Sequence, residues 1–157
     1  DFEKSLIEDG IKNGKKPIYV QIPTAAGQES PERLKYWEEL GKRQAELLQI
    51  EQRFLPIFNR NDAENAEFAN HINDAALIYM SGGDPHYLAN TLRDTPVLDA
   101  IVENWNSGGS LAGCSAGAYL ERSTDPATFS RRIDKYWLGS LHDNRVRATT
   151  QTHGLGQ

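Results

Sequence analysis

At 157 residues and 17.6 kDa, the chain has the size of one domain built on a single buried core. With 17 Lys and Arg against 22 Asp and Glu, its formal charge of −5 offers no general attraction to nucleic acid or to an anionic membrane, and neither is an expected partner. One cysteine closes no internal disulfide, and no apolar run approaches the roughly 20 residues that span a bilayer, so a reducing cytoplasm is the expected location. The chain starts at Asp1 without an initiator Met, which leaves open a removed leader or native residues upstream.

Residues 1–16 are polar and helical in character. Pro17-Ile18-Tyr19-Val20-Gln21-Ile22 is a β-rich run bounded by Lys15-Lys16 and the turn-prone Pro23-Thr24-Ala25-Ala26-Gly27, which predicts a strand. Ser30-Pro31-Glu32 combines an N-cap hydroxyl, a proline for the first helical position and an acid for the first turn. Leu34, Trp37, Leu40, Leu47 and Leu48 follow at helical spacing, so this helix is expected to end near Leu48. Residues 51–58, "EQRFLPIF", read as a second strand, and Pro56 suits a strand end or a sheet edge better than a central position. Asn61-Asp62 is read as the cap of a short helix through Phe68 and Ile72. "AALIYMSGGD", residues 75–84, then has the continuous apolar character of a strand buried on both faces, ending in a glycine turn. "PHYLANTL" follows as a helix. Thr95-Pro96 opens another, with Leu98, Ile101, Val102 and Trp105 at i, i+3, i+4 and i+7 before Ser107-Gly108-Gly109 stops it. Alternating strands and helices predict a parallel sheet with helices on both faces and right-handed crossovers.

Residues 110–120, "SLAGCSAGAYL", place two nucleophile candidates side by side. A strand over 110–114 and a helix from 116 onward put Ser115 at a strand-to-helix turn on the carboxyl edge of the sheet, where open α/β folds hold their ligands. The G-x-S-x-G frame is complete around Ser115, and small neighbours suit the tight backbone of such an elbow. The same frame fails around Cys114, where Ala112 and Ala116 occupy the glycine positions; Cys114 reads as a small buried residue. Clusters of Gly, Ala and Ser also occur where a strand and a helix merely pack closely.

The second glycine turn, Ser81-Gly82-Gly83-Asp84, ends the preceding buried strand and faces the same crevice. Acyl transfer needs donors aimed at the developing oxyanion. The N–H groups of Ala116, after the nucleophile, and of Gly83, in the neighbouring loop, are the candidates. Asp84 reads equally well as a helix N-cap, which is compatible with that arrangement.

The pair "SGGDPHYL" and "LAGCSAGA", joined by the Thr95-Pro96 helix and preceded by "IPTAAG", resembles the serine-peptidase family of dipeptidase E and cyanophycinase, a branch of the class I glutamine-amidotransferase-like fold. The resemblance covers approximately residues 17–120. It implies a three-layer α/β sandwich, a nucleophilic Ser115, and an oxyanion hole from Gly83 and Ala116. The implied reaction is hydrolysis of peptide bonds next to aspartate, in short peptides or in an arginine-decorated polyaspartate. No cofactor is implied, and the sequence holds neither an H-E-x-x-H metal motif nor a Walker phosphate loop.

The family takes its catalytic histidine from a later strand, and the nearest counterpart here is "LGSLHDNRVR". Ser140 stands where an acid is expected and Asp143 replaces an aromatic residue. His142 is preferred as the base over His153 in "THGLGQ", while His71 and His86 read as surface or substrate-side residues. Asp134 and Asp143 are weak candidates for the orienting acid. Arg131, Arg132, Arg145 and Arg147 could recognise an acidic side chain by bidentate pairing or could form a solvated basic loop. Arg145 and Arg147, with Asp84, are the substrate-side candidates. The family's first strand and its last ones have no counterpart: either native segments lie outside this sequence, or the chain is a reduced relative. The alternative function is a non-catalytic relative that binds a small molecule or a protein in the crevice. Oligomeric state is not legible, and a homodimer is a compatible assembly.

Overall fold

The computed structural model describes residues 2–114 and 146–149. In chain order these form α1 (Phe2–Lys12), β1 (Lys16–Ile22), a 3-10 turn (Thr24–Ala26), α2 (Pro31–Leu48), β2 (Glu51–Phe54), α3 (Arg60–Ala63), α4 (Ala66–Asn70), β3 (Ala75–Met80), α5 (Pro85–Leu92), α6 (Pro96–Asn106), β4 (Ser110–Cys114) and β5 (Val146–Thr149). The strands make one sheet in the order β2-β1-β3-β4-β5, with every neighbouring pair parallel.

Side chains alternate across this sheet and divide the core in two. Ile18, Val20, Ile22, Ile78, Met80 and Leu111 face α3 to α6 and pack with Leu88, Leu92, Val97 and Ile101. Tyr19, Leu77, Tyr79 and Ala112 face α1 and α2 and pack with Leu6, Ile7 and Trp37. The result is an α/β sandwich of three layers, as the alternation of elements predicts. β3 is central, and all six of its residues are buried, which is why its sequence is apolar without a period of two.

Several local expectations are met in detail. Ser30 caps α2, its hydroxyl accepting from Arg33 N, and Pro31 takes the first helical position. Thr95 caps α6 in the same way, accepting from Leu98 N. α2 ends at Leu48, where Gln49 adopts the left-handed conformation.

Other expectations are corrected. The second strand stops at Phe54 rather than continuing to residue 58. Leu55 N still donates to Gln21 O, but Pro56 has no N–H with which to extend the ladder, and Ile57 N folds back onto Leu55 O. β2 lies at the sheet edge, the position that Pro56 suits. The helix expected from Asn61-Asp62 to Ile72 is two short helices. Asn59, not Asn61, caps the first: its side chain accepts from Asp62 N while Asp62 bonds back to Asn59 N. Asn65 starts the second. In α2 the buried residues are Trp37, Gly41 and Ala45, whereas Leu47 is 79% exposed. β1 carries one extra residue against β3 between Lys16 and Tyr19, beside Pro17, which contributes no amide.

The amino-terminal segment is the helix its composition suggests, and it covers the sheet through Leu6 and Ile7. Burial raises the Glu3 carboxyl above its ordinary value of 4.5, and a hydrogen bond with Gln44 of α2 opposes the rise. Between the unfolded and the raised folded values, the native state retains a proton that the unfolded chain has released, so Glu3 makes stability fall as pH rises through that window. Glu3→Gln is therefore expected to match or exceed the wild-type Tm near pH 7. The difference should vanish below about pH 4, where both states are protonated. A variant less stable at neutral pH than in acid, relative to wild type, would contradict this.

Candidate active site

Parallel strands bring the ends of β1, β3 and β4 to one edge of the sheet. After β1 the chain passes to the face of α2, whereas after β3 it passes to the face of α5 and α6. A crevice at the carboxyl edge is expected where the two connections diverge.

The two loops that border this point are locked together. Ser81 N donates to Ile22 O at 3.1 Å, and Asp84 N donates to Ala25 O at 2.8 Å. Gly83 adopts φ +150°, a region essentially reserved for glycine, and a Cβ there would overlap the Ala25 carbonyl and come within 2.7 Å of Ala26 N. Only glycine fits this position. The Gly83 N–H has no acceptor among the described residues, and the residue itself is exposed.

The 3-10 turn is braced from its outer side. Thr24 Oγ1 donates to Ile57 O at 2.7 Å, and Tyr87 Oη, on α5, donates to Phe58 O at 2.6 Å. Gly27 lies so close to the Phe58 carbonyl that a Cβ would overlap it. The segment after Pro56 thus serves as a strap behind the site. Ile57 within it is fully buried although it belongs to no strand.

Asp84 caps α5: Oδ1 accepts from His86 N at 2.9 Å and from Tyr87 N at 3.1 Å. The cap accounts for that oxygen and fixes the helix start directly after the glycine turn. His86 is exposed in the first turn of α5, and His71 is exposed at the end of α4.

Beside the turn, Met80 of β3 stands opposite Gly113 of β4. Cys114 is the last residue of β4, and Ser115 follows it in sequence. Ser115, Ala116, His142 and Arg145 lie outside the described residues, as do Arg131, Arg132, Asp134, Asp143 and His153. Arg147 falls within β5, at the end of the segment likened to the family's later strand, and it is paired in register with Ala112. The structure therefore brings together the glycine turn, the 3-10 turn after β1 and the end of β4.

Sequence reasoning passed over two participants. Gln21 and Ser81 are buried side chains that meet beneath the turn, Gln21 Nε2 donating to Ser81 Oγ at 3.3 Å. The available signal was a lone amide within the apolar run of β1.

The sequence model of peptidase family S51 matches residues 2–137. The chain belongs to peptidase family S51. Its similarity to individual members is uneven. It is 65% identical to a peptidase from an acI-B1 Actinobacterium whose crystal structure superposes with a TM-score of 0.75, over 76% of this chain and 49% of that one. The cyanophycinases of Trichormus variabilis and of a Nostoc species are each 28% identical over 110 residues, 67% of this chain and 35% of theirs. A putative peptidase E from Listeria monocytogenes shares the fold at a TM-score of 0.51 and 22% identity, covering 82% of this chain and 66% of that one. The chain thus spans about half the length of the actinobacterial peptidase and about a third of the cyanophycinases. Among the described residues, no helix is long and apolar enough to cross a membrane.

Proposed function

We propose that this S51 chain is a serine peptidase that acts through Ser115, with an oxyanion hole at the Gly83 turn. The observation that carries the reading is the meeting of the strained Gly83 turn with the end of β4, after which Ser115 comes next in the chain. In this mechanism the Ser115 hydroxyl attacks the scissile carbonyl, and a histidine, His142 by preference, accepts its proton. The carbonyl oxygen becomes an oxyanion held by the Gly83 and Ala116 N–H groups. Collapse of the tetrahedral species breaks the C–N bond, the histidine returns the proton to the departing amine, and an acyl-enzyme remains. Water, deprotonated by the same histidine, then releases the acid and restores the serine.

Preference for aspartate on the acyl side is the finer proposal. It is supported by the similarity to cyanophycinases and by the arginines that follow residue 130, among them Arg145 and Arg147. Asp84, one of whose oxygens serves the α5 cap, is the third substrate-side candidate. The intact protein is expected to hydrolyse Asp-containing dipeptides faster than their Ala analogues, with kcat/KM rising with pH as the general base loses its proton. His142→Ala should lower kcat by about 10³-fold while His153→Ala changes it little. Thermal unfolding of each variant separates lost chemistry from lost structure. Equal turnover of Asp and Ala peptides removes the specificity. A dead His153→Ala beside an active His142→Ala transfers the base to the final segment. A wild type that hydrolyses no peptide makes the chain a binding relative of the same fold.

A further inference from the structure

Gln21 is an amide set in an apolar wall. It sits in β1 between Val20 and Ile22, on the face shared with Tyr19, and is 1% exposed. Both of its polar atoms are engaged across elements. Nε2 donates to the Trp37 carbonyl of α2 at 2.7 Å and to Ser81 Oγ at 3.3 Å, and Oε1 accepts from Gln52 Nε2 of β2 at 3.2 Å. Gly41 of α2 approaches so closely that a Cβ would overlap Gln21 Oε1. An apolar side chain here would take a partner from the Trp37 carbonyl, Ser81 Oγ and Gln52 Nε2 together, the costly case in which one member of a hydrogen-bonded pair is removed. Of these partners, Ser81 is the one that belongs to the glycine turn.

Ser81 is completely buried and is the first residue after β3. Consecutive residues of β1 grip it twice: the Gln21 side chain bonds its hydroxyl, and the Ile22 carbonyl accepts its N–H at 3.1 Å. The far end of the turn is tied by Asp84 N to Ala25 O. Gly82 and Gly83 lie between these anchors and carry no side chains of their own to hold them.

We propose that Gln21 is a positioning residue, which acts through Ser81 to set the direction of the Gly83 N–H. The proposal rests on the reading of that N–H as an oxyanion donor. Its geometric part stands without it. Gln21 is buried beneath the turn, so its effect on the reaction is exerted through Ser81 and falls on the transition state, where a displaced donor is felt most.

The test compares Gln21→Leu, Ser81→Ala and the double variant in the intact protein. Amide hydrogen exchange at Ser81 and Asp84 is read against Ile78, within β3, and kcat and KM are measured beside it. Ser81→Ala removes the same bond without adding bulk, so the comparison survives if Gln21→Leu disturbs folding. Ser81→Ala, which loses the one bond to Gln21, should speed exchange at Ser81 and Asp84 by about tenfold relative to Ile78 and lower kcat by about tenfold at unchanged KM, and Gln21→Leu should do at least as much. The double variant should be no worse than the weaker single one. Unchanged relative exchange in both single variants overturns the proposal, as does a fall in kcat that multiplies in the double variant. If the wild type hydrolyses no peptide, the peptidase reading fails, and the exchange comparison alone decides whether Gln21 positions the turn.

Discussion

Ser115→Ala is expected to abolish labelling by a serine-directed fluorophosphonate and to lower kcat/KM by at least about 10⁴-fold, because no other hydroxyl occupies the centre of the G-x-S-x-G frame. The loss should appear in kcat rather than KM, since the remainder of the crevice still binds the substrate. Cys114→Ala is the matched control. Cys114 closes β4 beside Thr149, within the sheet rather than after it, and its removal should leave labelling intact. The two residues are adjacent, so the pair separates an elbow serine from a reactive cysteine within one backbone. Labelling that persists in Ser115→Ala but disappears in Cys114→Ala would move the nucleophile by one residue and overturn the assignment.

The second large effect is expected at Gly83. Alanine there must adopt φ +150° and must also displace the Ala25 carbonyl, so the backbone cost and the steric cost act on the same two loops. Together they should destabilise the fold by about 2–4 kcal/mol and, by moving the proposed oxyanion donor, reduce kcat by about 10²-fold or more. Gly14→Ala isolates the backbone contribution. Gly14 has φ +94° with nothing within 4 Å of where a Cβ would stand, so it should cost only about 1 kcal/mol and leave kcat unchanged. Denaturant titration and steady-state kinetics of both variants provide the comparison. If Gly83→Ala proves no more damaging than Gly14→Ala, the close approach of the two loops is not a constraint on this site.

The sequence by itself determined much of the local order, because the relevant interactions span only a few residues. The Ser30 and Thr95 caps each bond an amide three positions on, and the proline beside each is pre-set for the first helical turn. The all-apolar β3 declares its burial on both faces, and the glycine turn and the Ser115 motif carry the family likeness in eight residues each. The tertiary structure alone decided features that depend on what lies opposite. Pro56 suits a strand end or a sheet edge, but only the sheet order shows that β2 takes both, and the choice of Asn59 over Asn61 as a cap follows from a reciprocal bond with Asp62. The stripe of α2 is buried at Trp37, Gly41 and Ala45 rather than at Leu47 because Gly41 must pass close to a glutamine twenty residues earlier. Gln21 reads in sequence as a polar interruption of a strand, and only its partners on α2, β2 and the Ser81 turn give its amide a purpose. Gly83 reads in sequence as an oxyanion donor in a glycine turn, but that a side chain is excluded there is decided by Ala25, fifty-eight positions away. In each case the deciding energy is a steric overlap or a hydrogen bond between distant segments, which no local propensity encodes.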